Sequence, residues 1–258
     1  IPCDEAGYMD IAPEDRGENI RREICLTLEQ LGIQPESSHH EEGPGQNRIN
    51  FRYSEALSAA DNVMTFRTVV KTIAHRNGLC SDFRAKPLED APGNGFHIIL
   101  SAQSDDGEDL LSYIIAGIMD KAYDLTAFLN PTANSYSRFG MQKAPGYISW
   151  SYENRDQFIR IPAVPGDNPR ATLRSPDPTA NPYLIFALLI YAGLHGIKNR
   201  LPLPEAAEFN LDRADPAVLA KYQKLPEDLA SACRTAAASD FIRKNLPEEI
   251  VKIYCSGH

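Results

Sequence analysis

Four stretches concentrate the side chains that do chemistry. Residues 36–48 read Glu36-Ser37-Ser38-His39-His40-Glu41-Glu42-Gly43-Pro44-Gly45-Gln46-Asn47-Arg48. Two imidazoles and three carboxylates ahead of a Gly-Pro-Gly turn make a donor set able to hold a divalent ion, and equally an ordinary polar loop before a strand. Residues 92–101 place His97 just after Gly93-Asn94-Gly95, where glycines let a backbone approach a ligand closely; a lone strand histidine is also a common structural residue. Residues 130–138, Asn130-Pro131-Thr132-Ala133-Asn134-Ser135-Tyr136-Ser137-Arg138, form a polar loop that serves either a site or a helix stop. The fourth stretch is arginine-rich: Arg155, Arg160, Arg170 and Arg174 on adjacent short segments offer guanidinium forks to phosphate or carboxylate oxygens, with Asp156, Asp167 and Asp177 near enough in sequence to neutralise some of them.

Periodicity supplies the elements that must carry these groups. Ile20, Ile24, Leu28 and Leu31 are spaced for a helix over 18–31, stopped by Gly32. Alternation over 47–53 predicts a strand. Ser54 is the expected N-cap of a helix ending at Gly78. A strand over 95–103 sends Phe96, Ile98 and Leu100 to one face and His97, Ile99 and Ser101 to the other. A long helix fits 108–129, short strands fit 146–152, 158–163 and 171–174, and Pro182 opens an apolar helix to 199, expected to be buried on most sides. Helical pieces follow at 216–222, 228–238 and 239–245. Strands and long helices mix without a strict β-helix-β rhythm, so the class is α+β.

The chain of 258 residues carries 26 Lys+Arg against 35 Asp+Glu, a net charge of −9, which disfavours nucleic acid and anionic membrane surfaces as partners. Its longest apolar run, 183–194, is too short to span a bilayer. Five scattered cysteines without a Cys-x-x-Cys pair argue against zinc or a disulfide framework and for reduced thiols in the cytoplasm. The opening Ile1-Pro2-Cys3-Asp4-Glu5 has neither Met nor the features of a secretory signal, and a piece of a longer chain is expected.

In this order the motifs resemble the C-terminal catalytic domain of type I glutamine synthetase. They are His39-His40-Glu41 with Pro44-Gly45-Gln46-Asn47, Lys86-Pro87, Gly93 to His97, and Asn130-Pro131-Thr132 with Asn134-Ser135-Tyr136-x-Arg138. Asn154-Arg155, Arg160-Ile161-Pro162, Arg174-x-Pro176-Asp177-Pro178, Asn181-Pro182-Tyr183-Leu184 and Ala192-Gly193-Leu194-x-Gly196-Ile197 complete them. The resemblance covers about 7–200, with 201–258 a helical C-terminal part of one domain. It implies a curved antiparallel sheet flanked by long helices, preceded in the family by a β-grasp domain absent from this chain. It also implies ATP-dependent ligation of glutamate and ammonia through a γ-glutamyl phosphate, with Mg²⁺ or Mn²⁺ and a homo-oligomeric ring. Carried over by position, Glu41 and His97 are metal ligands. Gly93, His97, Arg138 and Arg174 bind glutamate; Glu36, Ser101, Arg155, Arg160 and Arg170 serve the nucleotide, and Arg155 and Arg160 also face the phosphoryl in transfer.

Several family positions are changed. Arg48 and Thr172 stand where the family has metal-binding glutamates, Lys143 where it has the ammonium-site glutamate, Ile99 where it has a second histidine, and Asp212 where some members have a regulatory tyrosine. Two unit charges about 4 Å apart interact by about 4 kcal/mol at an effective dielectric of about 20, so a guanidinium in place of a carboxylate works strongly against a cation. Arg48 is expected to pair with Glu41 in the cation's place, with weak metal binding and impaired synthesis as consequences. The alternatives are a non-catalytic binding or assembly scaffold that keeps an arginine-lined anion site, and a related ligase acting on another amine.

Overall fold

The computed structural model describes residues 1–105, 107–141, 143–162 and 169–256. Asp167, residue 163 of the short strand expected over 158–163 and the Asp212 side chain lie outside these. The chain packs as two compact units, 1–83 with 87–92 and 84–86 with 93–258.

The first unit begins with α1 (Glu18–Gln30), which turns Ile24 and Leu28 inward, one helical turn apart. Gly32 ends it at φ +83°, a conformation only glycine adopts cheaply. An antiparallel hairpin follows, β1 (Pro35–His40) with β2 (Asn47–Phe51), in a register that sets His39 opposite Arg48 and His40 opposite Asn47. The 36–40 stretch is thus a strand, not the polar loop that its composition also allowed. The cap of α2 (Ala56–Arg76) is Glu55 rather than Ser54: its carboxylate accepts from the Leu57 and Ser58 amides, which an anion at a helix N-terminus does well. Ile24, Leu28, Ile33, Val69 and Ile73 form the core, with Phe51 and Phe66 packed on its edge.

In the second unit β3 (Ile98–Ser101), β4 (Trp150–Ser151), β5 (Ile159–Arg160) and β6 (Arg170–Leu173) make one sheet in the order β3-β6-β5-β4. The β3–β6 and β5–β6 pairs are antiparallel, but β4 runs parallel to β5, so the sheet is mixed rather than wholly antiparallel. Two-residue strands permit this because the intervening segment turns back through Asn154, whose carbonyl accepts from the Ser151 hydroxyl.

Ile98, Leu173, Ile159 and Trp150 share one cross-strand row and are all buried. They pack on α3 (Leu110–Leu129) and α5 (Pro182–Asn199) in a core with Leu125, Phe128, Leu188 and Ala192. Asn181 caps α5 through the Tyr183 and Leu184 amides. This helix is not buried on most sides: Tyr183, Ile190, Tyr191 and Leu194 are exposed on the face opposite the core. The short α4 (Ala133–Tyr136) carries a Thr132/Ser135 capping box. After a 3₁₀ turn at Leu211–Arg213 come α6 (Pro216–Leu219), α7 (Leu229–Ala238), α8 (Asp240–Asn245) and α9 (Glu248–Cys255), the last without a counterpart in the expected pieces. Among the described residues no helix is long and apolar enough to cross a membrane.

Candidate active site

The row beside the buried one is the chemical face of the sheet. Ile99, Thr172, Arg160 and Ser151 lie in register across its four strands. Period-two alternation adds Ser101 and Arg170 to the same face, and one step beyond the strand ends it adds His97 and Arg174. Alternation in β3 therefore places Ile99 and Ser101 on the face the sequence predicted, while His97 lies one residue before the strand, which begins only at Ile98. No carboxylate occupies any of these positions. Arg155, Arg160 and Arg170 make no ion pair with a carboxylate among the described residues. Asp156 instead accepts from the Asn210 amide. Arg155, Arg170 and Ser101 are exposed, whereas Arg160 is half-buried with its Nε sealed from solvent and lacking a hydrogen-bond partner among the described residues.

Arg138 and Arg174 lie deeper, at 3% and 5% exposure. Arg138 Nη2 donates to the Ser175 carbonyl, and its buried Nε has no partner among the described residues. Burial pulls this guanidinium down to about 10, with Asp177 pulling the other way. Arg174 Nη2 reaches the Lys143 carbonyl at 3.5 Å, tying the arginine to the segment that carries Lys143. The glycines before His97 are there for space. A Cβ on Gly93 would stand 2.6 Å from the Arg138 Cγ and 2.7 Å from the Ala85 carbonyl, and one on Gly95 would stand 2.9 Å from His97 Nε2. The Gly93–Gly95 backbone therefore lies directly against Arg138 and His97. Asn134 fixes the neighbouring segment, accepting from the Lys86 amide at 2.7 Å and donating to its carbonyl at 3.0 Å.

Glu36 and Glu41 belong to the first unit. Glu36 is exposed on β1. Glu41 Oε1 accepts from Arg48 Nη1 at 2.9 Å, and His39 Nε2 stands 3.5 Å from the same oxygen. A divalent cation at Glu41 needs several further lone pairs; beside this oxygen stand one imidazole and, closer, a charged N–H donor that already occupies it. The residues present do not fit a metal there.

His40 is no candidate ligand either: fully buried, it points at Asp4 Oδ1 at 3.0 Å and at its neighbour's carbonyl. Asp4, Asp15 and His40 bring ligand atoms within 4.8 Å of one another. Asp4 already accepts from the Gly45 and Arg16 amides, and Asp15 holds Arg21 through both oxygens, so the cluster is a saturated structural network. Sequence reasoning missed it because its members are up to 36 positions apart; an arginine on the inward side of an amphipathic helix, Arg21 beside Ile24, was the one local sign.

Comparison with known proteins gives the family and the fold. Residues 2–257 match the family model of the glutamine synthetase catalytic domain. A glutamine synthetase of Clostridium saccharobutylicum is 40% identical over 98% of this chain and 61% of its own length, and one of Methanosarcina mazei 40% over 97% and 60%. This chain therefore spans about three fifths of the curated relatives it matches. A solved GmaS/ADP complex superposes with a TM-score of 0.86 at 29% identity, covering 98% of this chain and 63% of that one. Plasmodium falciparum glutamine synthetase, at 24% identity, shares the fold with a TM-score of 0.86, covering 98% of this chain and 60% of that one. The match over nearly the whole chain and the shared fold settle the lineage: the chain belongs to the glutamine synthetase catalytic-domain family.

Proposed function

We propose that this chain is the catalytic domain of an ATP-dependent glutamate–ammonia ligase lineage whose anion-binding half is kept and whose metal-dependent half is impaired. The single observation that carries the reading is the sheet face that presents Arg160 and Arg170, continued by alternation to His97 and Arg174, with no carboxylate in its register among the described residues. Preorganised guanidiniums in a partly dry site stabilise charge on phosphoryl and carboxylate oxygens without reorganising when it develops. In this reading Arg155 and Arg160 hold the nucleotide phosphates and the phosphoryl in transfer, with Arg170, Ser101 and Glu36 beside the nucleotide. Arg138, Arg174 and the Gly93 backbone receive glutamate, and His97 orients it. The family works with ATP and a divalent metal, and Mg²⁺ or Mn²⁺ would supply charge neutralisation of the phosphates; Glu41 and His97 are the positions that correspond to its ligands. The homo-oligomer and the cytoplasmic setting are likewise proposed from the family.

A second reading, a non-catalytic scaffold with an arginine-lined anion site, is favoured by one observation, the Glu41–Arg48 pair. Two measurements divide them. ADP titrated calorimetrically into the protein is expected to bind, and Arg160→Ala to weaken it by about 10- to 100-fold, the worth of one charge-assisted hydrogen bond of about 1.5–3 kcal/mol. Absence of nucleotide binding would remove the anion-site reading altogether. γ-Glutamyl hydroxamate formation by the protein is expected to be feeble even with Mn²⁺ supplied, and robust formation would show that the ligase is intact.

A further inference from the structure

We infer that Arg48 is the resident counter-cation of Glu41: it takes the place of a divalent ion, and it is the residue that sets this site's choice against metal. The inference rests on the family reading only for which ion is excluded; the geometry is the chain's own. The antiparallel hairpin sets Arg48 directly across from His39, so both side chains project from the same cross-strand pair toward the carboxylate that follows β1. Arg48 is held at two points, Nη1 on Glu41 Oε1 at 2.9 Å and Nε on Asn50 Oδ1 at 3.1 Å. This arrangement fixes the plane of the guanidinium and aims one N–H at the carboxylate.

His39 Nε2 approaches the same oxygen from a second side at 3.5 Å, without a hydrogen bond of its own among the described residues. Glu41 is thus bracketed by two nitrogens, with 17% of its side chain left to solvent, and Arg48 at 32% is only partly screened by water. A cation binding Glu41 would sit within a few ångströms of a fixed positive charge and would have to break an ion pair that is already made. The two groups seen at this oxygen are the Arg48 guanidinium and the His39 imidazole, and the permanent charge is carried by Arg48.

The test uses Mn²⁺ alone, followed by the electron paramagnetic resonance signal of the free ion, on the whole protein. Wild type and Glu41→Gln are expected to give superimposable titrations, because Glu41 is not a ligand. Arg48→Glu, which restores a carboxylate pair, is expected to bind Mn²⁺ at least about tenfold more tightly than wild type, and Glu41→Gln/Arg48→Glu to lose the gain. Arg48→Gln, which deletes only the charge, gives a smaller gain in the same direction and decides the matter if Arg48→Glu fails to fold. The inference is overturned if Glu41→Gln weakens Mn²⁺ binding by wild type, or if neither Arg48 variant binds more tightly than wild type. Loss of ADP binding in the same preparations would instead count against the proposed anion-site function and leave Arg48 untouched.

Discussion

Asn130 organises the polar interior of the second unit from the last position of a helix. Fully buried as the C-cap of α3, it donates through Nδ2 to the Ser175 carbonyl at 2.8 Å and to Asp177 Oδ2 at 3.2 Å, and it accepts from the Ser175 hydroxyl at 3.2 Å. Those contacts fix the turn that follows Arg174, and the Ser175 carbonyl is also the acceptor for Arg138. Removing Asn130 strands buried polar atoms at about 1–3 kcal/mol each. Asn130→Ala is expected to lower stability by about 3 kcal/mol, read as a reduced midpoint in urea at unchanged slope; a change under about 1 kcal/mol would mean that the turn is held by other contacts. At this scale the sequence was legible where chemistry is local. The opposition of Arg48 and Glu41 follows from two positions seven apart on a hairpin, and it is the pair that forms. The inward turn of His40 toward Asp4 was not legible, because neighbouring histidines in a strand face opposite ways and only the tertiary partner tells which is buried.

The elements show the same division. Helices with a long apolar stripe and a terminal glycine or asparagine were placed to within two residues: α1, α3 and α5 each depend on a pattern summed over many positions. Strand β1 was not, since it is exposed at Glu36, Ser37 and Ser38 and offers no apolar alternation, and the strands of two residues owe their existence to neighbours rather than to propensity. Two helices come close where α3 crosses α5, and Gly117 and Gly196 bring their backbones together. A methyl on Gly117 would collide with the Ala192 carbonyl, and one on Gly196 with the Tyr113 carbonyl. Glycine to alanine within a helix gains about 1 kcal/mol of propensity, but backbone cannot yield as a side chain does. Gly117→Ala is therefore expected to destabilise by about 3 kcal/mol despite its better propensity. Gly193→Ala, whose new methyl would have the Ile114 side chain as its nearest neighbour at 3.1 Å, is expected to stay within about 1 kcal/mol of wild type. Equal thermal midpoints for the two variants would show that the crossing is looser than this packing requires.

Across the whole molecule the two units differ most in where they bury charge. The first encloses Asp4 and Asp15 with His40 and Arg21 beneath a small aliphatic core; the second has a much larger core and the paired sheet faces. Burial pushes both aspartates up, yet the Gly45 amide, His40 and the Arg16 amide on Asp4, and the hydrogen bonds and charge of Arg21 with the Gly17 amide on Asp15, outweigh it and hold each carboxyl below its ordinary value. A folded value below the unfolded one contributes stability that is complete above the unfolded value of about 3.9 and is lost as pH falls through the folded one. In the second unit the carboxylates lowered in this way, Asp228 and Glu248, are fully exposed helix-end groups, where solvent screening leaves little to lose. Acid should therefore open the first unit first. The single tryptophan, Trp150, lies buried in the second unit with its indole N–H on the Pro204 carbonyl at 2.7 Å, so its fluorescence reports that unit alone. Titration below about pH 4 is expected to remove the helical ellipticity of α1 and α2 while Trp150 emission holds, and Asp15→Asn, which leaves Arg21 buried without its counter-charge, to weaken the first unit already at neutral pH. A single transition in which ellipticity and fluorescence fall together would show that the buried aspartates do not set the acid limit of the fold.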